Sequence, residues 1–268
     1  MNEGQTEDQF TTPKKKGEVL ICDLSVEFGK GENKTIALSP TNLELQPGTF
    51  TALIGPSGCG KSTMLNAVAG FVKPTSGAVY VDRRKVEKPD ESVGVIFQNF
   101  ALFPWFNALQ NVIFALKRLS LSRSERMERA HIALAEVGLD EHAKKYPGQL
   151  SGGMKQRVAI ARTLSSDPDV LLMDEPFGAL DAQTRLRMQE LLTELWSKRE
   201  KTVLFVTHDV DEALRLADTV YVMSPSPGRI VEKIPVNISR PRPIDRFGDD
   251  FLKLRAQILQ LLRQYEQD

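Results

Sequence analysis

The sequence predicts an α/β fold with a largely parallel sheet and an inserted helical subdomain. Two observations carry this. Segments rich in β-branched residues recur at 19–28, 49–54, 78–81, 93–97, 170–173, 203–207 and 219–223, and helical stretches at 60–70, 183–199 and 211–217 fall between several of them. The stretch 107–166 holds no such strand: Leu109, Val112, Ile113 and Leu116 have helical spacing, as do Ile132, Leu134, Ala135 and Val137. Beyond 223, the turn Pro-Ser-Pro-Gly leads into a further strand at 229–236. Prolines at 241 and 243 then break the chain before an amphipathic helix carrying Phe251, Leu254, Ile258 and Leu261, which is expected to pack on its own domain.

Composition bounds the function classes. A chain of 268 residues, 41% hydrophobic and 26% charged, is long enough to bury roughly 70–75% of its unfolded surface. Thirty-five basic residues balance thirty-five acidic ones, so no overall field points to nucleic acid or an anionic membrane. Cys22 and Cys59 lie far apart, and the second sits inside a glycine loop, so no structural disulfide is expected, as suits a reducing cytosol. No apolar run approaches the length of a membrane span, and the first 17 residues have no apolar core and read as a solvated tail. If the protein works at a membrane, it is expected to be recruited there by another chain.

The first chemical motif is Gly55-Pro56-Ser57-Gly58-Cys59-Gly60-Lys61-Ser62-Thr63, after a predicted strand and at the start of a predicted helix. Glycines there let backbone N–H groups turn onto phosphate oxygens, and the helix N-terminus adds partial positive charge. Lys61 supplies a full charge to the β- and γ-phosphates, and the Ser62 hydroxyl can ligate Mg²⁺. A dinucleotide fingerprint is excluded because the third glycine after Gly58 and Gly60 is missing. The segment predicts a nucleoside-triphosphate site.

Hydrolysis needs a metal grip and a base. The strand at 170–173 ends in Asp174 and Glu175: the first suits holding Mg²⁺ through its waters, the second suits orienting or deprotonating the attacking water. Gln98 and His208 each follow a predicted parallel strand, at the edge where such sheets bind ligands. Gln98 could meet the metal and the water, and His208 the γ-phosphate. Taken singly, each reads equally well as a surface residue.

Leu150-Ser151-Gly152-Gly153-Met154-Lys155-Gln156-Arg157 reads as a second anion-ready helix start, with Ser151 as N-cap and two glycines freeing backbone donors. A capped helix with flexible glycines is the bland alternative. The string resembles the signature motif of ABC ATPases. The order around it is theirs as well: glycine loop, Gln98, signature, Asp174-Glu175, Gly-Ala-Leu-Asp at 178–181, then His208. The resemblance covers about 19–236.

It implies a P-loop NTPase core with an N-terminal antiparallel β part and an inserted helical subdomain at about 100–166. The ATPase domain would run 18–240, between a tail at 1–17 and a helical extension at 241–268. It further implies ATP and Mg²⁺ as ligands, and a head-to-tail dimer, of identical or homologous subunits. In that dimer Ser151, Gly152, Gly153 and Gln156 of one subunit act on ATP held by the other, with Asp181 linking the two sites. Phe28 matches an adenine-stacking aromatic, a core phenylalanine being the alternative. Met154 departs from the commonest signature, which has glutamine there.

Lys61 and Ser151 stand 90 residues apart, too close for the coiled coils of chromosome-organising relatives, and one motif set excludes the tandem translation factors. The segment 101–112 places Phe103, Trp105 and Phe106 beside a polar helix start. It is either core or, as the resemblance implies, the pocket for a permease's coupling helix. Leu-Phe-Pro-Trp at 102–105, the tracts at 175–185 and 207–214, and Pro-Gly-Arg-Ile at 227–230 resemble nitrate, sulfonate and taurine importer ATPases. The same family serves bicarbonate and thiamine precursors, and a polyamine or sulfate importer is the next placement. The resemblance thus implies a peripheral subunit on the cytoplasmic face of a membrane, working with separate permeases, indirectly with a solute-binding protein, and with no nucleic acid.

Overall fold

The computed structural model describes residues 15–29, 31–242 and 248–266. In chain order these form β1 (Val19–Phe28), β2 (Thr35–Leu45), β3 (Phe50–Ile54), α1 (Lys61–Val68), β4 (Ser76–Val81), β5 (Arg84–Lys85) and β6 (Val93–Ile96). Three helices follow without an intervening strand: α2 (Ala108–Leu116), α3 (Arg123–Glu136) and α4 (Gly152–Ser165). The chain then alternates through β7 (Val170–Asp174), α5 (Ala182–Arg199), β8 (Thr202–Val206), α6 (Val210–Leu216), β9 (Thr219–Met223) and β10 (Ile230–Pro235), and ends in α7 (Asp249–Glu266).

Two sheets result. The central one has the order β10-β9-β3-β8-β7-β6, parallel except at β10. The second, β2-β1-β4-β5, is antiparallel. Central strands are buried on both faces, and successive residues feed two separate cores. Phe50, Ala52 and Ile54 of β3 join Val203 and Phe205 of β8 in a core shared with the helices α2–α7. Leu53, Leu204 and Val206 point the other way, onto α1 and the antiparallel sheet. This two-sided burial explains why the strands read as continuous apolar runs.

Two strands escape the sequence pattern for physical reasons. β2 contains Pro40, which only an edge strand tolerates, and β2 is an edge. β5 is two charged residues at the opposite edge. In α3 the buried stripe is Ala130, Ala133 and Leu134, continued by Val137 just past its end, whereas Ile132 and Ala135 face outward. The expectation from Ile132 and Ala135 is therefore corrected. Ala130 and Ala133 take those places in the stripe, where α3 packs against α4.

At the C-terminal end, the Arg240 guanidinium lies 4.4 Å from the Trp196 ring centre and pairs with Asp218. Arg242 donates to Leu214 O at 2.7 Å and Ala217 O at 2.6 Å, satisfying carbonyls at the end of α6. Burial lowers its pKa to about 10. Helix α7 seats Phe251 and Ile258 in the core, against α6 and β9. Residues 1–14 of the expected tail, and Pro243 of the expected chain break, lie outside the described residues. Among the described residues no helix is long and apolar enough to cross a membrane, and Cys22 and Cys59 are both free thiols.

Candidate functional site

β3 delivers the glycine loop to the carboxyl edge of the central sheet. Gly60 caps α1 with φ +94°, and a side chain there would strike Leu38 and the Ala37 carbonyl of β2. Only glycine fits both the dihedral and the space. Ser57 and Gly58 are exposed, while Cys59 is fully buried beneath them. Lys61 is 6% exposed and folds into the loop, donating to Gly55 O at 2.9 Å and Pro56 O at 2.8 Å. Burial pushes the Cys59 thiol up despite the nearby Lys61 ammonium.

The strand ends around this loop converge. Ser62 Oγ donates to Asp174 Oδ1 at 2.9 Å, across 112 residues of sequence. Burial holds the Asp174 carboxyl above its ordinary range, with Glu175 adding repulsion, while the Ser62 hydrogen bond and Lys61 oppose the rise. Glu175 adopts φ +43°, a region that costs a non-glycine residue energy, and its backbone N–H is tied to Val206 O at 2.9 Å. Its Oε2 lies 3.2 Å from His208 Nδ1 and 3.5 Å from Gln98 Nε2. Three residues from three strand ends thus meet at one carboxylate oxygen.

Among the described residues no group of three or more His, Cys, Asp or Glu side chains could hold a metal unaided. A hydroxyl, a carboxylate and an amide oxygen suit Mg²⁺ differently. That ion is held through one or two carboxylates and completes its shell with phosphates and water. The donor set of Ser62, Asp174 and Gln98 fits it.

The signature segment lies at the start of α4. Ser151 is exposed, and its hydroxyl accepts from Met154 N–H at 3.3 Å, as an N-cap does. Gly153 is buried, and a side chain there would come 2.5 Å from Thr184 Cγ2, so this glycine permits close packing of α4 on α5. Gln156 corrects the expectation of a role across a dimer. It is fully buried in its own subunit, with neither amide atom hydrogen-bonded. Asp181 caps α5, accepting from Thr184 N–H at 2.9 Å, and that bond draws its carboxyl below the usual range.

Phe28 is 47% exposed at the end of β1, so it is not a core phenylalanine. Trp105 is 66% exposed. Phe103 and Phe106 are half-buried beside it, and Phe103 sits 4.6 Å from the ring of the exposed Phe114. The patch is held from below by Asn111, which is fully buried. Asn111 accepts from Phe103 N–H at 2.9 Å and donates to the carbonyls of Phe103, Phe106 and Asn107. Sequence reading missed this residue, although an asparagine inside an apolar helical stripe is the signal that could have found it. Arg162 was missed as well. It donates to Phe100 O and Ala101 O, fixing the two positive-φ residues that follow Gln98 by two and three positions. Gly228 is the third, since a side chain there would fall 1.7 Å from Cys59 O.

A glycine loop between strand and helix, beside paired carboxylates at the edge of a parallel sheet, defines a P-loop nucleoside triphosphatase. The comparisons narrow this class. The model of the ABC transporter family matches residues 38–178, and the chain belongs to that family. It is 46% identical over 248 residues to an uncharacterized ABC transporter ATP-binding protein of Methanocaldococcus jannaschii, across 92% of each chain. Identity is 44% over 251 residues with a nitrate import ATP-binding protein of Synechocystis, covering 91% of this chain and 94% of that one. A taurine import ATP-binding protein of Rhizobium johnstonii is 45% identical over 250 residues, covering 90% and 95%. Among solved structures, a dimeric ATP-binding cassette in a post-hydrolysis state with ADP and Pi superimposes with TM-score 0.72 at 35% identity. It covers 82% of this chain and all of that one. The activity is that of a transport ATPase, binding and hydrolysing ATP.

Proposed function

We propose that this chain powers an ABC importer for a small solute of the nitrate, sulfonate or taurine kind. It would work as a dimer at the cytoplasmic face of a membrane and be held there by permease subunits. The relatives named for nitrate and taurine import support the solute class, and the dimeric cassette supports the assembly. A solute-binding protein would act through the permease. The working unit is 18–240, with its helical part at about 100–166, flanked by the segments 1–17 and 241–268.

In this reading, backbone N–H groups of Gly55–Thr63 and the Lys61 ammonium hold the ATP phosphates, and Phe28 stacks on adenine. Ser62, Asp174 and Gln98 would hold Mg²⁺, which when bound neutralises charge on the phosphates. Glu175 orients the attacking water and accepts its proton, and His208 steadies that carboxylate and contacts the γ-phosphate. Exposed Ser151 and the Gly152–Gly153 backbone of a second subunit close the site, and Asp181 links the two sites. Phe103, Trp105 and Phe106 receive the permease.

The observation that carries the catalytic assignment is the meeting of Gln98 and His208 at Glu175, one residue beyond the Ser62–Asp174 bond. Glu175→Gln keeps size and hydrogen bonding but removes the base. ATP should bind, turnover should fall about 10²–10⁴-fold, and a dimer should accumulate in Mg-ATP on size-exclusion chromatography. Normal hydrolysis by this variant would move the base elsewhere.

A further inference from the structure

Helix α6 is seven residues long and starts at the turn that carries His208, so that turn is only as fixed as the first residues of the helix. Asp209 caps it, accepting from Asp211 N–H at 2.8 Å and Glu212 N–H at 3.1 Å. Glu212 is 7% exposed. One of its carboxylate oxygens accepts from the Thr207 hydroxyl at 2.7 Å. The other accepts from Gln189 Nε2 at 3.1 Å, with Arg185 Nε 3.7 Å away.

These partners lie on two functional segments. Thr207 directly precedes His208, and its hydroxyl oxygen also accepts from Asp209 N–H at 3.0 Å. That hydroxyl therefore has its proton on Glu212 and its lone pair in the His208 turn, and it cannot rotate without losing one of them. Gln189 and Arg185 belong to α5, whose N-cap is Asp181, and Arg185 also donates to Leu180 O at 3.3 Å. Burying a carboxylate is costly unless its oxygens are satisfied, and an apolar residue would pack here at less expense. Burial does push the Glu212 carboxyl up, with Asp209 adding to the rise and the Thr207, Arg185 and Gln189 contacts opposing it.

We propose that Glu212 is a positioning residue for hydrolysis, holding the His208 turn in register with the Leu180–Asp181 loop. It rests on the catalytic reading of His208 given above. Glu212→Gln preserves volume but leaves one acceptor oxygen for two donors, and removes the negative charge facing Arg185. A displaced histidine should affect the chemical step more than ATP binding.

The test is steady-state Mg-ATP hydrolysis by the purified full chain, with thermal unfolding alongside. Glu212→Gln should lower kcat about 10²-fold, the scale of a small misplacement near reacting groups, with KM for ATP within about threefold of wild type. Thr207→Val should do the same, and Thr207→Ser, which keeps the hydroxyl, should retain most of the turnover that valine loses. Combining Glu212→Gln with His208→Ala should cost little more than His208→Ala alone, because the one acts through the other. Full turnover in Glu212→Gln beside a slow His208→Ala would overturn this inference alone. Multiplicative losses in the double variant would place the effect of Glu212 elsewhere and overturn it too. Normal turnover in His208→Ala would instead remove the catalytic reading beneath it. Should Glu212→Gln unfold, the valine and serine variants at Thr207 decide the question, and equal turnover in those two rejects it.

Discussion

Truncating Trp105 separates an assembly role from a structural one, and the structure sets the size of each effect. The indole is 66% exposed, so about a third of its surface is covered, mainly by Phe103 at 5.6 Å and Phe106 at 6.3 Å between ring centres. A fully buried tryptophan hides roughly 200 Å². A third of that, at about 25 cal/mol per Å², comes to ~1.7 kcal/mol as an upper bound on the folding cost of Trp105→Ala. A core tryptophan would cost about 3–5 kcal/mol. An aromatic anchor at an interface commonly contributes 2 kcal/mol or more, roughly a thirtyfold change in affinity. The variant should therefore keep basal ATP hydrolysis, lose only a few degrees in Tm, and fail to co-purify with its permease subunits. The assay measures co-purification, thermal unfolding and ATPase rate on the same preparation. Intact assembly, or a collapse of all three together, would refute the docking role.

Other outcomes follow from the same geometry. Lys61→Ala removes the loop's one full charge, a contact of about 1.5–3 kcal/mol, so ATP affinity measured by titration should fall roughly tenfold or more; unchanged affinity would reject the phosphate role. Gly228→Ala would force a methyl group to 1.7 Å from Cys59 O, and the loop must shift to admit it. ATP affinity should drop, and a variant with normal affinity and normal Tm would show that the loop is not held from this side. Ser122→Ala deletes the N-cap of α3, accepting from Glu125 N–H at 3.2 Å, and should lower stability by about 1 kcal/mol in urea unfolding. Hydrogen bonds from the Ser122 hydroxyl and backbone draw the Glu125 carboxyl below its ordinary value. Its stabilising contribution is thus present above the unfolded-state pKa and lost as pH falls through the lower folded value. The gap between wild type and Ser122→Ala should narrow in acid, and a gap that widens there would contradict the capping box.

The chemistry was legible where one residue type has to stand at one place in the chain. Gly60 before Lys61, and Asp174-Glu175 at the end of an apolar strand, stood out because a phosphate-binding motif tolerates few substitutes, and the structure brings the two segments together through the Ser62–Asp174 bond. The central strands were legible for a different reason: burial on both faces leaves continuous apolar runs. Single sequence could not show contacts between distant segments. Nothing at Glu212 marks it as the partner of both Thr207 and Gln189, and nothing at Gly228 tells of Cys59 above it. Gln156 misled because it stands inside the signature string, yet the turn of α4 carries it into the core. Around α3 the helical spacing placed Leu134 and Val137 in the core correctly but favoured Ile132 and Ala135 where Ala130 and Ala133 are the buried pair, since close helix packing favours small side chains at those positions.

The contact of Gly153 with Thr184 has a mechanical consequence. At 2.5 Å from a notional side chain, the first turn of α4 touches the first turn of α5 with no spare room. Ser151 heads one of these turns and Asp181 the other. The two helix ends therefore behave as a hinged corner clamped shut, not as two levers. If the aromatic patch is the docking site proposed above, a push on it would reach α4 through the packing of α2 on α4, and the Asp181 end would have to move with it.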